Sequence, residues 1–180
     1  IENNKKDAID KFTQYATSYA GISIQPLKER YPQGGEKQLI DALIKRQVPS
    51  GALPISVGAI VQNVGTTFAV YEAVQKNKPL VERIVTVTGK EVKNPCNVRS
   101  RIGISFKTLI DFAGGLPQNT GKIISGGPMM GKAVAYTDIP VTKGTSGILI
   151  IPSSKARRKA PSDCIRCAKC IHVCPMGLNP

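Results

Sequence analysis

Four cysteines near the end of the chain have the spacing that most clearly indicates chemistry. Successive members are separated by two, two and three residues, and Pro175 follows the last one; they are Cys164, Cys167, Cys170 and Cys174. A C-x2-C-x2-C-x3-C-P run is typical of [4Fe–4S] ligation, in which each iron is held by a thiolate. The run therefore predicts an iron–sulfur site and a role in electron transfer.

The order of these cysteines predicts that they serve two clusters. In two-cluster ferredoxins, the first three cysteines of such a run hold one cluster and the fourth ligates the other. We therefore expect Cys164, Cys167 and Cys170 on one cluster, and Cys174 on a second whose other ligands come from a further cysteine run. These 180 residues do not contain that further run, so neither cluster has all of its ligands. We therefore expect the isolated chain to be largely apo, with a mobile cysteine segment, because metal ligation supplies the folding energy of such segments. The alternative is that Cys174 completes a single four-cysteine site.

A structural zinc knuckle is the main alternative for the four thiolates, since thiolates also select zinc. Zinc sites usually separate two C-x2-C pairs by a longer loop, so the continuous run favours iron–sulfur. His172 lies inside the run and could bind zinc, but we interpret it as a solvated spacer. Cys96 follows Asn94-Pro95 and is predicted to be a free thiol in a turn.

The composition excludes several classes of protein. The 180 residues carry a net charge of +13, but there is no tryptophan, aromatic residues make up 5%, and no basic stripe is interleaved with aromatics. We therefore expect no nucleic-acid partner. The densest basic run, residues 155–159, could steer an acidic redox partner or face an anionic membrane, or it could be a solvated linker. No apolar run approaches the ~18 residues of a membrane span. Because the first residue is Ile, we expect the chain to be part of a longer protein.

Hydrophobic periodicity predicts an α/β region followed by an α+β region. In the first region we expect helices over residues 4–20, 36–46 and 65–75, a strand over 22–27 and a buried apolar run over 57–61. In the second region we expect strands over 83–88, 97–102, 122–125 and 147–151, with a helix over 105–113. A polar linker over residues 155–162 precedes the cysteines.

Three glycine-containing stretches are candidate sites. Gly34-Gly35 precedes a predicted helix, where free N–H groups suit a phosphate, although a plain turn is the simpler interpretation. Residues 62–66 follow an apolar run, where open α/β sheets place ligands; capping by Thr66 or Thr67 is the alternative. Residues 126–131 are most simply a tight connection. The chain shows no recognisable catalytic triad or carboxylate pair.

Five motifs in a fixed order carry a family resemblance: Tyr31-Pro-Gln-Gly-Gly-Glu-Lys-Gln-Leu39, Gln62-Asn-Val-Gly-Thr66, Ser125-Gly-Gly-Pro-Met-Met-Gly131, Pro140-Val-Thr-Lys-Gly-Thr-Ser-Gly147 and the cysteine run. Over essentially its whole length the chain resembles RnfC, a component of the Rnf ion-translocating electron-transport complex. That family is related to the flavin-carrying NADH-binding subunit of respiratory complex I.

The resemblance implies a multi-domain fold of α/β and α+β class. Residues 1–79 are expected to be the C-terminal half of a Rossmann-like flavin/NADH domain, and residues 80–136 a β-grasp module of the soluble-ligand-binding type. Residues 137–160 are expected to be a strand and linker. Residues 161–180 would begin a two-cluster, ferredoxin-like iron–sulfur domain.

The resemblance also implies the cofactors and the residues that meet them. In the full-length protein it implies two [4Fe–4S] clusters, FMN and NAD(H). Tyr31, Gly34, Gly35 and Glu36 would form one wall of the FMN pocket, and a second wall would comprise Gln62, Asn63 and Thr66. Complex I has Asn-Asn where this chain has Gln62-Asn63. Family members also carry an upstream glycine-rich loop and a second cysteine run that these 180 residues do not contain, so we expect the isolated chain not to oxidise NADH.

The implied activity is electron transfer between a flavin/NAD site and iron–sulfur clusters in a ferredoxin:NAD oxidoreductase, coupled by partner subunits to ion translocation. The implied partners are the other Rnf membrane subunits, with ferredoxin and NAD(H) reached through the complex. The implied location is peripheral, on the cytoplasmic face of the bacterial cell membrane. Two alternatives stay open: a cobalamin reductase of related architecture, and a non-catalytic β-grasp interaction module with a zinc knuckle.

Overall fold

The chain divides into two compact units. The computed structural model describes residues 1–157, 160–174 and 178–179. One unit comprises residues 1–71 and the other residues 72–180. Pro175 of the cysteine motif and Arg158 and Lys159 of the basic run lie outside the described residues. No helix in the described ranges is both long enough and apolar enough to cross a membrane.

The first unit is built from helices and turns. It contains α1 (Lys6–Ala16), α2 (Glu36–Ile44), a 3-10 turn (Pro54–Val57) and the start of α3 (Val64–Lys76). The strand predicted over residues 22–27 is wrong: Leu27 makes one isolated parallel bridge, to Glu2. The apolar run over 57–61 is also not a strand. A strand needs a neighbour along its length to satisfy its N–H and C=O groups. Residues 22–27 have such a neighbour only near Leu27, whose N–H and C=O bond to Ile1 and Asn3, and residues 57–61 pair with no strand.

Few apolar side chains are buried in the first unit. Within residues 1–71, all of which are described, Ile40 is the one hydrophobic residue in the buried core, at 3% exposure. Large side chains on all three helices are exposed; examples are Phe12, Tyr15, Leu43, Ile44, Val64 and Phe68. The amphipathic patterns therefore predicted the helices correctly. The apolar faces of these helices, however, are not covered by other residues of this unit.

The second unit is organised around a five-stranded mixed sheet. Its strands are β1 (Glu82–Gly89), β2 (Cys96–Arg101), β3 (Thr120–Ser125), β4 (Lys132–Val134) and β5 (Gly147–Pro152). Their spatial order is β2-β1-β5-β3-β4, and β1 with β5 is the parallel pair. Because β5 lies between β1 and β3, this sheet continues past residue 136, where the β-grasp module was expected to end.

One face of the sheet packs on α4 (Phe106–Phe112). The helix begins at Ser105, whose Oγ accepts a hydrogen bond from the Thr108 N–H at 3.3 Å. Alternate residues of β1 and β5 point into this core and are fully buried; they include Val85, Val87, Ile148 and Ile150. The strands predicted over 83–88, 97–102, 122–125 and 147–151 and the helix over 105–113 match the structure to within about two residues, because alternation and capping were both present locally.

The segment before β1 is tied to it by an ion-pair cluster. Lys78 Nζ lies 3.1 Å from Glu72 Oε1 and 2.6 Å from Glu82 Oε1. The hydrogen bond from Lys78 is the largest cause of the lowered pKa of Glu82, and the same bond raises the pKa of Lys78. All three side chains are half-buried, and the cluster joins the end of α3 to the start of β1.

Two short helices follow the sheet. They are α5 (Ser153–Ala156), directly after β5, and α6 (Lys169–Val173), within the cysteine run. α5 packs on β3 at Gly121, where an added Cβ would lie 2.5 Å from Ser153 Cα and 2.7 Å from Ala156 Cβ. The start of the predicted linker is therefore a helical turn held against the sheet.

We predict that Gly131→Ala destabilises the second unit and that Gly127→Ala does not. A Cβ at Gly131 would clash with Ile124 Cγ2 and lie 2.5 Å from the Gly127 carbonyl oxygen and 2.8 Å from that of Ser125, whereas one at Gly127 meets nothing within 4 Å. Overpacking of this kind costs about 1–3 kcal/mol, and an unobstructed surface change stays within about 0.5 kcal/mol. Denaturant unfolding followed by circular dichroism measures both, and equal stability of the two variants would contradict the packing described here.

Candidate metal centre and cofactor site

The four cysteines lie on one short loop-and-helix segment. Cys164, Cys167 and Cys170 are exposed and Cys174 is half-buried. The backbone turns through left-handed residues between them, at Arg166 (φ 53°) and Ala168 (φ 58°). One left-handed residue therefore lies within each C-x2-C step.

Backbone N–H groups already point at two of the sulfurs. The Arg166 N–H donates to Cys164 Sγ at 3.4 Å, and the Leu178 N–H donates to Cys174 Sγ at 3.4 Å. Hydrogen bonds to ligand sulfur are among the features that tune iron–sulfur clusters.

The four cysteine sulfurs are suitable metal ligands in their chemistry, but they do not lie close enough together to bind one metal ion. Among the residues described, no three His, Cys, Asp or Glu side chains lie in an arrangement that could hold a metal ion. Four thiol sulfurs remain a donor set that suits iron–sulfur and zinc alike. His172 is exposed on α6.

The sequence predicted that Cys96 lies in a turn, and this prediction is wrong. It is the first residue of β2, pairs with Val87 across the sheet and packs against the hydrophobic core as a free thiol. The Asn94-Pro95 turn ends one residue earlier than expected. This position makes Cys96 a core-packing residue, remote in sequence from the cysteine run.

The first expected flavin wall lies at the N-terminus of α2. Gly35 is the N-cap, its N–H donates to the Pro32 carbonyl at 2.7 Å, and no side chain caps the helix. The N–H groups of residues 36–38 therefore have no partner within the helix, which is the usual arrangement for binding an anion. Tyr31 is 61% exposed beside this end, and Glu36 lies in the first turn.

Two features of this loop fit a bound ligand. A Cβ at Gly35 would lie 2.6 Å from Gln38 Oε1 and 3.0 Å from the Pro32 carbonyl oxygen, so a larger residue here would have to displace the end of the Gln38 side chain. In addition, Gln33 Oε1 is buried and has no hydrogen-bond partner in the described part of the chain. Buried acceptors are normally satisfied, so this oxygen is suited to a ligand donor. Sequence reasoning missed Gln33, because its type and spacing carry no distinguishing pattern.

The second expected wall lies at the N-terminus of α3. Asn63 Oδ1 accepts from the Gly65 N–H at 2.9 Å, and the Thr67 N–H donates to the Asn63 carbonyl at 2.9 Å. Asn63 is thus the cap, rather than Thr66 or Thr67 as the sequence allowed, because its side chain reaches the second helical N–H. Gln62 is exposed and Thr66 is half-buried. Each set of expected flavin residues therefore occupies a helix N-terminus.

Comparison with known proteins agrees with this division of the chain. Residues 1–72 match the Nuo51 FMN-binding domain, and residues 84–133 match the SLBB domain. The chain is 47% identical over 180 residues to the C component of the Na+-translocating ferredoxin:NAD+ oxidoreductase complex of Acetobacterium woodii, covering all of this chain and 41% of the relative. It is 48% identical over 182 residues to the C component of the proton-translocating ferredoxin:NAD+ oxidoreductase complex of Clostridium ljungdahlii, covering all of this chain and 39% of the relative.

The resemblance to the RnfC family is confirmed. A third relative, the C component of the ion-translocating oxidoreductase complex of Rhodobacter capsulatus, is 37% identical over 182 residues, which cover all of this chain and 35% of that protein. The chain spans about two fifths of the length of these curated relatives. The SLBB match fits a β-grasp fold for the mixed sheet and its helix.

We predict that Asn63→Ala loosens the start of α3 while Asn63→Asp preserves it. Losing an N-cap side chain costs about 0.5–2 kcal/mol, and Asp caps as well as Asn. Amide hydrogen exchange at Gly65, whose N–H is bonded to Asn63 Oδ1, should be faster in the alanine variant only. Equal exchange in the two variants would show that the cap does not hold this end of the helix.

Proposed function

We propose that the chain is part of an electron-transfer subunit of a membrane-associated ferredoxin:NAD oxidoreductase of the Rnf type. In this role it passes electrons between a flavin/NAD site and [4Fe–4S] clusters, while partner subunits move ions. One observation carries the proposal: a single chain joins a match to an FMN-binding domain at residues 1–72 with a four-cysteine segment at residues 164–174. The names of the relatives support the same chemistry.

The first unit is proposed to be one half of the flavin/NADH domain. Its exposed apolar side chains support this, because a unit with one buried core hydrophobic residue does not supply the burial that a stable domain needs. The relatives are more than twice as long as this chain and so contain further protein able to cover those faces.

In this proposal the N-terminus of α2 holds the flavin. The free N–H groups of residues 36–38 receive the phosphate, and Gln33 Oε1 accepts from a hydroxyl or ring N–H of the cofactor. Glu36 is exposed in the same turn and belongs to the same proposed wall. FMN, when bound, exchanges electron pairs with NAD(H) and single electrons with iron–sulfur clusters.

The cysteine segment is proposed to begin a ferredoxin-like domain. Cys164, Cys167 and Cys170 ligate one [4Fe–4S] cluster and Cys174 serves a second. The support is the spacing of the run and the N–H donors already directed at Cys164 and Cys174.

The partners are proposed to be the membrane subunits of the complex, with ferredoxin and NAD(H) as redox partners. The relatives carry "ion-translocating" or the name of the translocated ion in their names, and ion movement requires membrane subunits. We place the protein on the cytoplasmic face of the cell membrane, where ferredoxin and NAD(H) are available.

We predict that Gly35→Asp in the full-length protein lowers FMN affinity more than Gly35→Asn does. Both side chains meet Gln38 and Pro32, so the asparagine variant isolates the effect of packing. The carboxylate adds repulsion of the flavin phosphate while stabilising the helix end by roughly 0.3–1 kcal/mol. Flavin fluorescence titration and NADH–ferricyanide turnover measure the loss.

Gly34→Asp is the positional control, since a Cβ there meets nothing within 4 Å. It should reduce FMN affinity less than Gly35→Asp. If Gly35→Asp binds FMN as tightly as the unsubstituted protein, the flavin site is elsewhere.

We predict that the 180-residue chain holds far less than one stable cluster after anaerobic reconstitution, whereas the full-length protein holds two. Iron, acid-labile sulfide and low-temperature electron paramagnetic resonance quantify both. In the full-length protein, Cys174→Ser should impair one cluster and leave the other intact. One full cluster in the short chain that disappears in Cys174→Ser would refute the two-cluster assignment, and zinc without sulfide would refute the iron–sulfur proposal.

A further inference from the structure

The second unit contains a pocket that the electron-transfer proposal does not use. Its volume is about 550 Å³, within the range of roughly 300–1,000 Å³ typical of small-molecule sites. Two of the sequence motifs described above form its walls: residues 125–131 between β3 and β4, and residues 139–146 before β5. They lie apart in sequence and meet because β3 and β5 are paired.

Both walls are held by internal hydrogen bonds. The Gly126 N–H donates to the Gly147 carbonyl at 2.7 Å with φ at 104°, and the Gly131 N–H donates to the Gly127 carbonyl at 2.8 Å. On the opposite wall, Thr145 is 7% exposed and its Oγ1 accepts from the Thr142 N–H at 3.0 Å. The pocket is therefore formed before any ligand arrives.

The pocket lining is positively charged. Lys132 is the one charged residue among its described lining residues, and no carboxylate lines it. Within the described part of the chain, the Lys132 side chain has no hydrogen-bond or ion-pair partner, and the N–H groups of Gly127 and Gly144 are likewise unbonded. The second unit as a whole has 17 lysines and arginines against 6 aspartates and glutamates. These features favour an anionic ligand.

The remaining lining is apolar or carries hydroxyl groups. Phe106, Val134 and Ile139 line it from the hydrophobic core, and Met130, 80% exposed, lies at its rim. Three further lining residues add hydroxyl groups: Ser125, Thr142 and Ser146. A few polar groups over an apolar lining are typical of sites for small organic ligands, and a methionine side chain adapts to ring systems.

We propose that this pocket binds a small anionic ligand with an apolar ring, of about the size of a mononucleotide. Its anionic group contacts Lys132 and the free N–H groups of the glycine-containing walls, and its ring lies against Met130 and Ile139. This site lies within the second unit, so the proposal does not rest on the electron-transfer role.

Adenosine monophosphate (AMP) is a suitable probe, with adenosine and inorganic phosphate as its separate halves. Titration of the ¹⁵N-labelled chain, followed by amide chemical shifts, should give saturable shifts at Gly126, Gly127, Gly131 and Gly144. Adenosine and phosphate alone should bind about tenfold more weakly, since each loses a contact worth roughly 1.4 kcal/mol or more. The same titration on the full-length protein tests the site in its natural context.

Lys132→Gln should weaken AMP binding about tenfold, because it removes one charge from an exposed strand end without filling the pocket. Lys90→Gln, which removes the same charge from the exposed turn after β1, should leave binding unchanged. Saturable shifts at residues 125–146 that depend on Lys132 support the proposal. Absence of saturable shifts, shifts confined to residues 33–38, or equal affinity of the two lysine variants would overturn it.

Discussion

The pairing of β5 between β1 and β3 is the interaction on which the rest of the second unit depends. The strand contributes Ile148 and Ile150 to the core and is hydrogen-bonded on both edges, in parallel to β1 and antiparallel to β3. Its first residue, Gly147, accepts from the Gly126 N–H and so closes the two loops around the pocket. Its last residue, Pro152, leads directly into α5 and the segment that carries the cysteines. One strand thus positions both the pocket and the start of the chain that leads to the cysteine run.

The two units differ in how they obtain their stability. The second buries a contiguous cluster of valine, isoleucine, leucine and phenylalanine side chains between a sheet and a helix, which is the usual solution for a small α+β domain. The first buries Ile40 and exposes apolar side chains on each of its helices. The charged residues are also distributed unevenly. The first unit has 8 basic and 6 acidic residues, whereas the second has 17 basic and 6 acidic residues. The basic character of the chain therefore belongs to the sheet unit and the cysteine segment.

Local patterns in the sequence predicted local structure, and failed where a distant partner decides the outcome. Alternation over 83–88 was enough to predict β1, because a core face and a solvent face are both present. Residues 22–27 show similar alternation, yet they form no strand, because their pairing with residues 1–3 is limited to one isolated bridge at Leu27. The three-residue β4 is too short to show a period.

The cap at Asn63 and the orphaned oxygen of Gln33 depend on side-chain placement, so the motifs located the candidate flavin residues without revealing their roles. The convergence of residues 125–131 and 139–146 follows from the sheet order alone, which no local pattern encodes.

The cysteine segment shows why spacing predicts ligands but not a formed site. Three of its sulfurs are exposed, its helix α6 has five residues, and Ala168 at its N-cap is left-handed. So short a helix is not stable by itself, since the first turn of a helix costs more entropy than it gains in hydrogen bonds. The N–H groups aimed at Cys164 and Cys174 instead show a backbone arranged around sulfur rather than around a hydrophobic core. Bonds from a metal cluster to the thiolates would supply the energy that this segment does not obtain from packing. Folding of this segment and loading of such a cluster would then be one event. The sheet, whose core is complete without any metal, would be the stable part from which the segment extends.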